Sequence, residues 1–133
     1  MKLAAQLRDN VFLLETDVAV SIPDGYWGLL APRSSMAKSG FIMTNSIGVI
    51  DSSYRGKLKI AVTKISSDAV LDLPFKCAQL IIVPQVLPTY VYSNISQDTM
   101  RGSAGYGSTN AVTDKAVDTA IEINYTSSTL SIY

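Results

Sequence analysis

Three clusters of residues are equipped to handle an anionic ligand. The first is Pro32-Arg33-Ser34-Ser35. An arginine fork, two hydroxyls and free backbone N–H groups beside a chain reversal suit a phosphate. The same residues also make an ordinary turn with a surface arginine. The second is Gly48-Val49-Ile50-Asp51, followed by Tyr54-Arg55-Gly56. One carboxylate held at a turn can serve as a general base, and a nearby tyrosine can pack on a ring or sugar. The plainer alternative is an aspartate that caps its own turn. The third runs from Arg101 to Thr109 and holds three of the chain's eight glycines. Such an arm, carrying one arginine and the ring of Tyr106, can close over a bound molecule and exclude water. It can equally be a linker.

The elements around these clusters read as strands. Val11 to Val20 is apolar with scattered polar residues and ends before the turn Pro23-Asp24-Gly25. Tyr26 to Ala31 is a strand stopped by Pro32. Phe41 to Ile50 is extended, with Gly48 marking a bend or a close backbone approach. Asp51 to Gly56 reads as a hairpin turn, after which Lys57 to Val62 alternates polar and apolar as a half-buried strand does. Ala78 to Val83 is a short apolar strand closed by Pro84, and Thr89 to Ile95 is an edge strand or extended loop. Leu3 to Leu7 and Ser34 to Lys38 are each expected to make one helical turn. The first hundred residues contain no sustained helical period. The fold expected is therefore all-β, a barrel or sandwich of short strands.

Composition narrows the chemistry. The 133 residues suit one domain. Eleven basic and eleven acidic residues leave no net charge and no basic block, so nucleic acid is not an expected partner. The absence of histidine removes imidazole metal ligands and histidine-dependent triads. The single cysteine, Cys77, can form neither an internal disulfide nor a multi-thiolate zinc site, and it reads as a small core residue. No stretch is apolar for long enough to span a membrane as a helix, and the N-terminus does not read as a signal peptide. A cytoplasmic location is expected, or the host-cell cytoplasm or nucleus if the source is viral. Charged residues make up only 17% of the chain, which suggests that part of the surface is covered by other subunits.

Taken together and in this order, the clusters carry a resemblance. The chain resembles the trimeric dUTP pyrophosphatase (dUTPase) family through four spaced motifs. They are Ala31-Pro32-Arg33-Ser34-Ser35, Asn45 to Gly56, Cys77-Ala78-Gln79-Leu80-Ile81 and Arg101 to Thr109. The lead-in Ala19 to Gly28 also fits, and the likeness extends from about Leu14 to Thr109. It implies a jelly-roll-like β subunit over residues 1–109, a divergent extension over 110–133, and a homotrimer with its sites at subunit interfaces. One subunit would supply the Arg33 and Gln79 motifs, the next the turn around Asp51, and the third the Arg101 arm.

The resemblance also implies roles. Asp51 would be the base that activates water for attack on the α-phosphate of dUTP. Tyr54 would lie under the deoxyribose and block a 2′-hydroxyl. Asn45, Val49 and Ile50 would belong to the segment that reads uracil. Arg33, Ser34, Ser35 and Gln79 would contact phosphates. Arg101 would clamp the γ-phosphate side, with Tyr106 stacking over uracil, and Gly107, Ser108 and Thr109 would complete the arm. Mg2+ would sit on the triphosphate oxygens and waters, with no protein ligand directly. The products would be dUMP and pyrophosphate, a reaction that limits uracil incorporation into DNA.

The chain also departs from the family pattern. The usual first motif, Ala-Gly-x-Asp-Leu, would fall before Met1. Ser53 stands where a second aspartate often follows the base, and Leu73 to Cys77 replaces the usual Gly-Asp-Arg, leaving Lys76 in place of an arginine fork. These departures support the alternative of a catalytically weak or inactive relative that binds nucleotide or serves as a structural trimer. A dCTP deaminase reading ranks below both, because the strand Lys57 to Val62 carries no acid.

Overall fold

The computed structural model describes residues 1–86, 88–105 and 117–125. It divides into two compact units, Met1–Gln85 and Val86–Tyr133. The first unit contains β1 (Lys2–Arg8), β2 (Val11–Ala19), β3 (Tyr26–Pro32), a one-turn 3-10 helix (Ser34–Lys38), β4 (Phe41–Met43), β5 (Gly48–Ile50), β6 (Lys57–Lys64) and β7 (Ala78–Pro84). These strands form a four-stranded sheet in the order β1-β2-β6-β4 and a three-stranded sheet in the order β5-β3-β7. All of the recorded strand pairs are antiparallel. The architecture is an all-β sandwich, and no sheet among the described residues closes into a barrel.

The alternation in β6 builds the core. Leu58, Ile60 and Val62 face inward and are buried, while Lys57 and Lys59 stay on the polar face. Leu14 of β2, Leu30 of β3, and Phe41 and Met43 of β4 pack with Ile60 and Val62. Met36 from the 3-10 helix and Cys77 at the foot of β7 complete the cluster. Because this cluster draws on both sheets, it glues them face to face. Outside the core, Glu15 lies between Lys2 and Lys59 on neighbouring strands, 3.6 Å from each ammonium.

Three local expectations are corrected. Leu3 to Leu7 is not a helical turn but part of β1, because hydrogen bonding to the edge of β2 outweighs the weak helix preference of its Ala, Gln and Leu residues. Phe41 to Ile50 is not one strand. β4 joins the four-stranded sheet and β5 the three-stranded one, and the chain reverses between them with Ser46 at φ 64°. Asp51 to Gly56 is not the turn of a hairpin, since its flanking strands β5 and β6 belong to different sheets. The hairpin arms are β4 and β6, paired Phe41 to Lys64 and Met43 to Val62. The residues between those arms leave one sheet, add β5 to the other and return.

In the second unit, β8 (Pro88–Ile95) pairs antiparallel with β9 (Val117–Tyr125). Thr89 to Ile95 is therefore a strand, and its partner comes from the C-terminal extension. No helix among the described residues is long and apolar enough to cross a membrane.

Candidate active site

β3 and β7 bring the first set of predicted residues together. Their antiparallel register sets Gln79 opposite Ala31 and Ala78 opposite Pro32. Gln79 Nε2 donates to the Pro32 carbonyl at 3.3 Å, and the Arg33 N–H donates to the Cys77 carbonyl at 2.9 Å. Arg33 is extended (φ −81°, ψ 154°), and the 3-10 helix starts directly after it. Ser34 and Ser35 are therefore exposed on the first turn, beside the exposed arginine. An open depression of about 560 Å³ adjoins them, lined by Arg33, Ser34, Ala37, Ile42 and Ser46 among others. Arg33, Ser34 and Ser46 place a cation and two hydroxyls on an otherwise apolar wall, and such groups suit an anion. A second cavity, about 400 Å³, lies over Leu30, Leu58, Ile60, Phe75, Cys77 and Leu80. Thr16, Asp17, Arg33 and Lys76 also line it, so Arg33 borders both depressions.

β5 positions the second set. Gly48 opposes Leu30, Val49 opposes Leu29 and Ile50 opposes Gly28. A Cβ on Gly48 would lie 3.2 Å from Leu30 Cβ, which is the close approach expected from the sequence. Asn45 precedes β5 on an exposed turn where its carbonyl accepts the Ile47 N–H at 2.7 Å. Asp51 follows β5, and its carboxylate is held locally. The Ser53 N–H reaches Oδ1 at 3.3 Å, the Ser53 hydroxyl reaches Oδ2 at 3.0 Å and the Ser52 hydroxyl reaches Oδ1 at 3.4 Å. The backbone N–H and then the hydroxyl of Ser53 hold the Asp51 pKa below the usual carboxylate value, so the group is ionised at neutral pH. Asp51 thus caps its own turn, and the cap presents a charged acceptor of protons.

The rest of this turn is equally tied. Tyr54 N–H donates to the Asp51 carbonyl at 3.1 Å, and the Tyr54 hydroxyl donates to the Lys57 carbonyl at 2.8 Å. The Arg55 guanidinium donates to the carbonyls of Ser52 and Tyr54. The Tyr54 ring occupies the space a side chain at position 56 would need, so glycine is required there for the ring to lie as it does. From the sequence Ser53 and Gly56 have no role of their own, Ser53 standing as a departure from the family pattern and Gly56 as the end of the second cluster. The available signal was the Asp-Ser-Ser run, whose short polar side chains close turns on themselves.

The two sets do not meet within one chain. β5 runs antiparallel to β3, so Asp51 leaves the sheet past the Gly28–Ile50 pair, whereas Arg33 leaves at the other end of β3. Five residues of extended chain separate Gly28 from Arg33, about 16 Å. Arg101 belongs to the second unit, where its Nε donates to the Ala104 carbonyl at 2.6 Å around a turn with Gly102 at φ 54°. Tyr106, Gly107, Ser108 and Thr109 lie outside the described residues.

Among the described residues no three Asp, Glu, Cys or His side chains cluster to hold an ion. Cys77 is 1% exposed, and burial pushes its thiol pKa up, so it is a packing residue rather than a nucleophile.

Comparison with known proteins identifies a relationship. The dUTPase family profile matches residues 2–110. A deoxyuridine 5'-triphosphate nucleotidohydrolase of Cutibacterium acnes is 38% identical over 109 residues, covering 80% of this chain and 72% of that protein. The one from Escherichia phage T5 is 35% identical over 115 residues, covering 81% and 77%. The one from Rickettsia canadensis is 36% identical over 102 residues, covering 75% and 69%. Among solved structures, the Staphylococcus bacteriophage 80alpha dUTPase with dUPNHPP shares the fold at a TM-score of 0.52. It is 22% identical, covering 84% of this chain and 92% of that one.

Proposed function

The chain belongs to the dUTPase family, and from that premise we propose that it hydrolyses dUTP to dUMP and pyrophosphate at sites shared between subunits of a homotrimer. One observation carries the proposal. β3 and β7 bring Arg33 and Gln79 together at one end of β3, and β5 delivers Asp51, its carboxylate held by Ser52 and Ser53, at the other. Neither group can act on one triphosphate alone, and a neighbouring subunit is the source that completes each. In this reading the Arg33, Ser34, Ser35 and Gln79 donors bind phosphate oxygens. Asp51 of the adjoining subunit takes a proton from water as the water oxygen bonds to the α-phosphorus. The bond from that phosphorus to the bridging oxygen breaks, and pyrophosphate leaves.

Tyr54 carries the deoxyribose on its ring, and the main chain of Val49 and Ile50, with Asn45, reads uracil. Arg101 and the Tyr106–Thr109 segment close the site over the nucleotide. We assign magnesium to the triphosphate and its waters, where it would neutralise the departing pyrophosphate. The family match ends at residue 110, which supports a boundary between the hydrolase part and the 110–133 extension near Thr109. We place the protein in the cytoplasm, with the nucleotide pool.

The test is magnesium-dependent pyrophosphate release from dUTP, with dCTP, dTTP and UTP as comparators. Release confined to dUTP and lost in Asp51→Asn is expected. Co-expressing Asp51→Asn with Arg33→Ala, each silent alone, should restore activity, because one chain supplies Arg33 and the other Asp51. Random assembly would regenerate about a quarter of the sites. No recovery from assembled mixed trimers would overturn the shared-site reading. Binding of dUTP without release would replace hydrolysis with nucleotide binding alone.

A further inference from the structure

We infer that Ser53 is a positioning residue for the hydrolytic carboxylate, fixing both oxygens of Asp51 as it receives the proton from water. The inference rests on the assignment of Asp51 as the base. Ser53 is the one residue whose recorded hydrogen bonds reach both carboxylate oxygens, through its N–H to Oδ1 at 3.3 Å and its hydroxyl to Oδ2 at 3.0 Å. Ser52 adds a longer contact to Oδ1 at 3.4 Å. An ionised carboxylate offers about four lone-pair directions. The Ser53 hydroxyl orients Oδ2, the Ser53 N–H and the Ser52 hydroxyl hold Oδ1, and the Ser52 N–H also favours the ionised carboxylate.

The serine pair cannot easily swing away. Tyr54 N–H closes the turn on the Asp51 carbonyl, and the Arg55 guanidinium pins the carbonyls of Ser52 and Tyr54. A base must keep its acceptor aimed at the attacking water, and misaim by a fraction of a bond length slows chemistry without weakening substrate binding. Ser53 therefore belongs to turnover rather than affinity. The charged groups nearest along the chain are Arg55, which is engaged with carbonyls, and Lys57. The β3 residues that face β5 are Gly28, Leu29 and Leu30, all uncharged. Within the one chain, the Ser53 N–H and hydroxyl are the main influences that lower the Asp51 pKa.

The experiment compares Ser53→Ala, Ser53→Thr and Asp51→Asn with the native protein, using pyrophosphate release from dUTP across pH and thermal unfolding as a folding check. Ser53→Ala is expected to lose about tenfold in kcat with KM within about twofold, since the lost contact is a hydrogen bond to a charged group. Its acid limb should move to higher pH, because the ionised form loses its donor. Ser53→Thr keeps the hydroxyl and should restore both. Native values of kcat and acid limb in a folded Ser53→Ala protein, with Asp51→Asn silent, would overturn the inference and leave Asp51 as the base. Full activity in Asp51→Asn would instead overturn the base assignment and this inference with it.

Discussion

Gly28→Ala tests how the sandwich supports the base. Gly28 lies in the middle strand of the three-stranded sheet, with Ile50 opposite on β5 and Ile82 opposite on β7. A methyl group there would lie 2.9 Å from both Ile22 Cδ1 and Leu80 Cδ1, and 3.1 Å from Ile50 Cβ. The two Cδ1 atoms end flexible side chains and can swing aside. Ile50 Cβ is bonded to the backbone, so β5 itself must shift by a few tenths of an ångström. Overpacking of this kind costs about 1–3 kcal/mol. Restricting the unfolded chain returns about 0.4–1 kcal/mol. The net is a loss of about 1–2 kcal/mol, or about 5–15 °C in the unfolding midpoint for a unit of this size. Asp51 directly follows Ile50, so dUTP turnover should also fall at temperatures where the variant is fully folded. Thermal unfolding by circular dichroism, paired with pyrophosphate release well below the midpoint, measures both effects. A Gly28→Ala midpoint at or above the native value would refute the packing argument. Native turnover despite a lowered midpoint would show that strain at Ile50 does not reach Asp51.

Gly56→Ala should displace the Tyr54 ring and break its hydroxyl contact with the Lys57 carbonyl. The expected outcome is a fall in the ratio of kcat/KM for dUTP over UTP by about tenfold, the scale of one lost steric discrimination, and an unchanged ratio would count against Tyr54 as the sugar gate. Cys77 should resist a thiol-specific reagent near neutral pH and react fully once the chain is unfolded in denaturant. Its folded pKa is raised, so the stability from burying the neutral thiol is present at neutral pH and is lost as pH climbs past the ordinary thiol value. Rapid labelling of the native protein would place the thiol at the surface.

Much of this molecule was legible from residue type and short-range spacing. The alternation of Lys57 to Val62 foretold which side chains enter the core, because side chains on a strand point to opposite faces in turn. The Gly48 approach, the arrest of β3 at Pro32 and the helical turn after Arg33 follow from local steric rules of the same kind. The functional groups on which the proposed roles of Arg33, Asp51 and Tyr54 rest were likewise visible, since the residue names state them.

Tertiary structure settled what local rules leave degenerate. The segment Phe41 to Ile50 is apolar enough for one strand, yet it divides between two sheets, because pairing partners lie far off in the chain and compete for each half. Leu3 to Leu7 became a strand for the same reason, through the edge of β2. The separation of Asp51 from Arg33 has no trace in their spacing along the chain. It arises because β5 pairs antiparallel with β3, and antiparallel pairing sends the two chain ends in opposite directions.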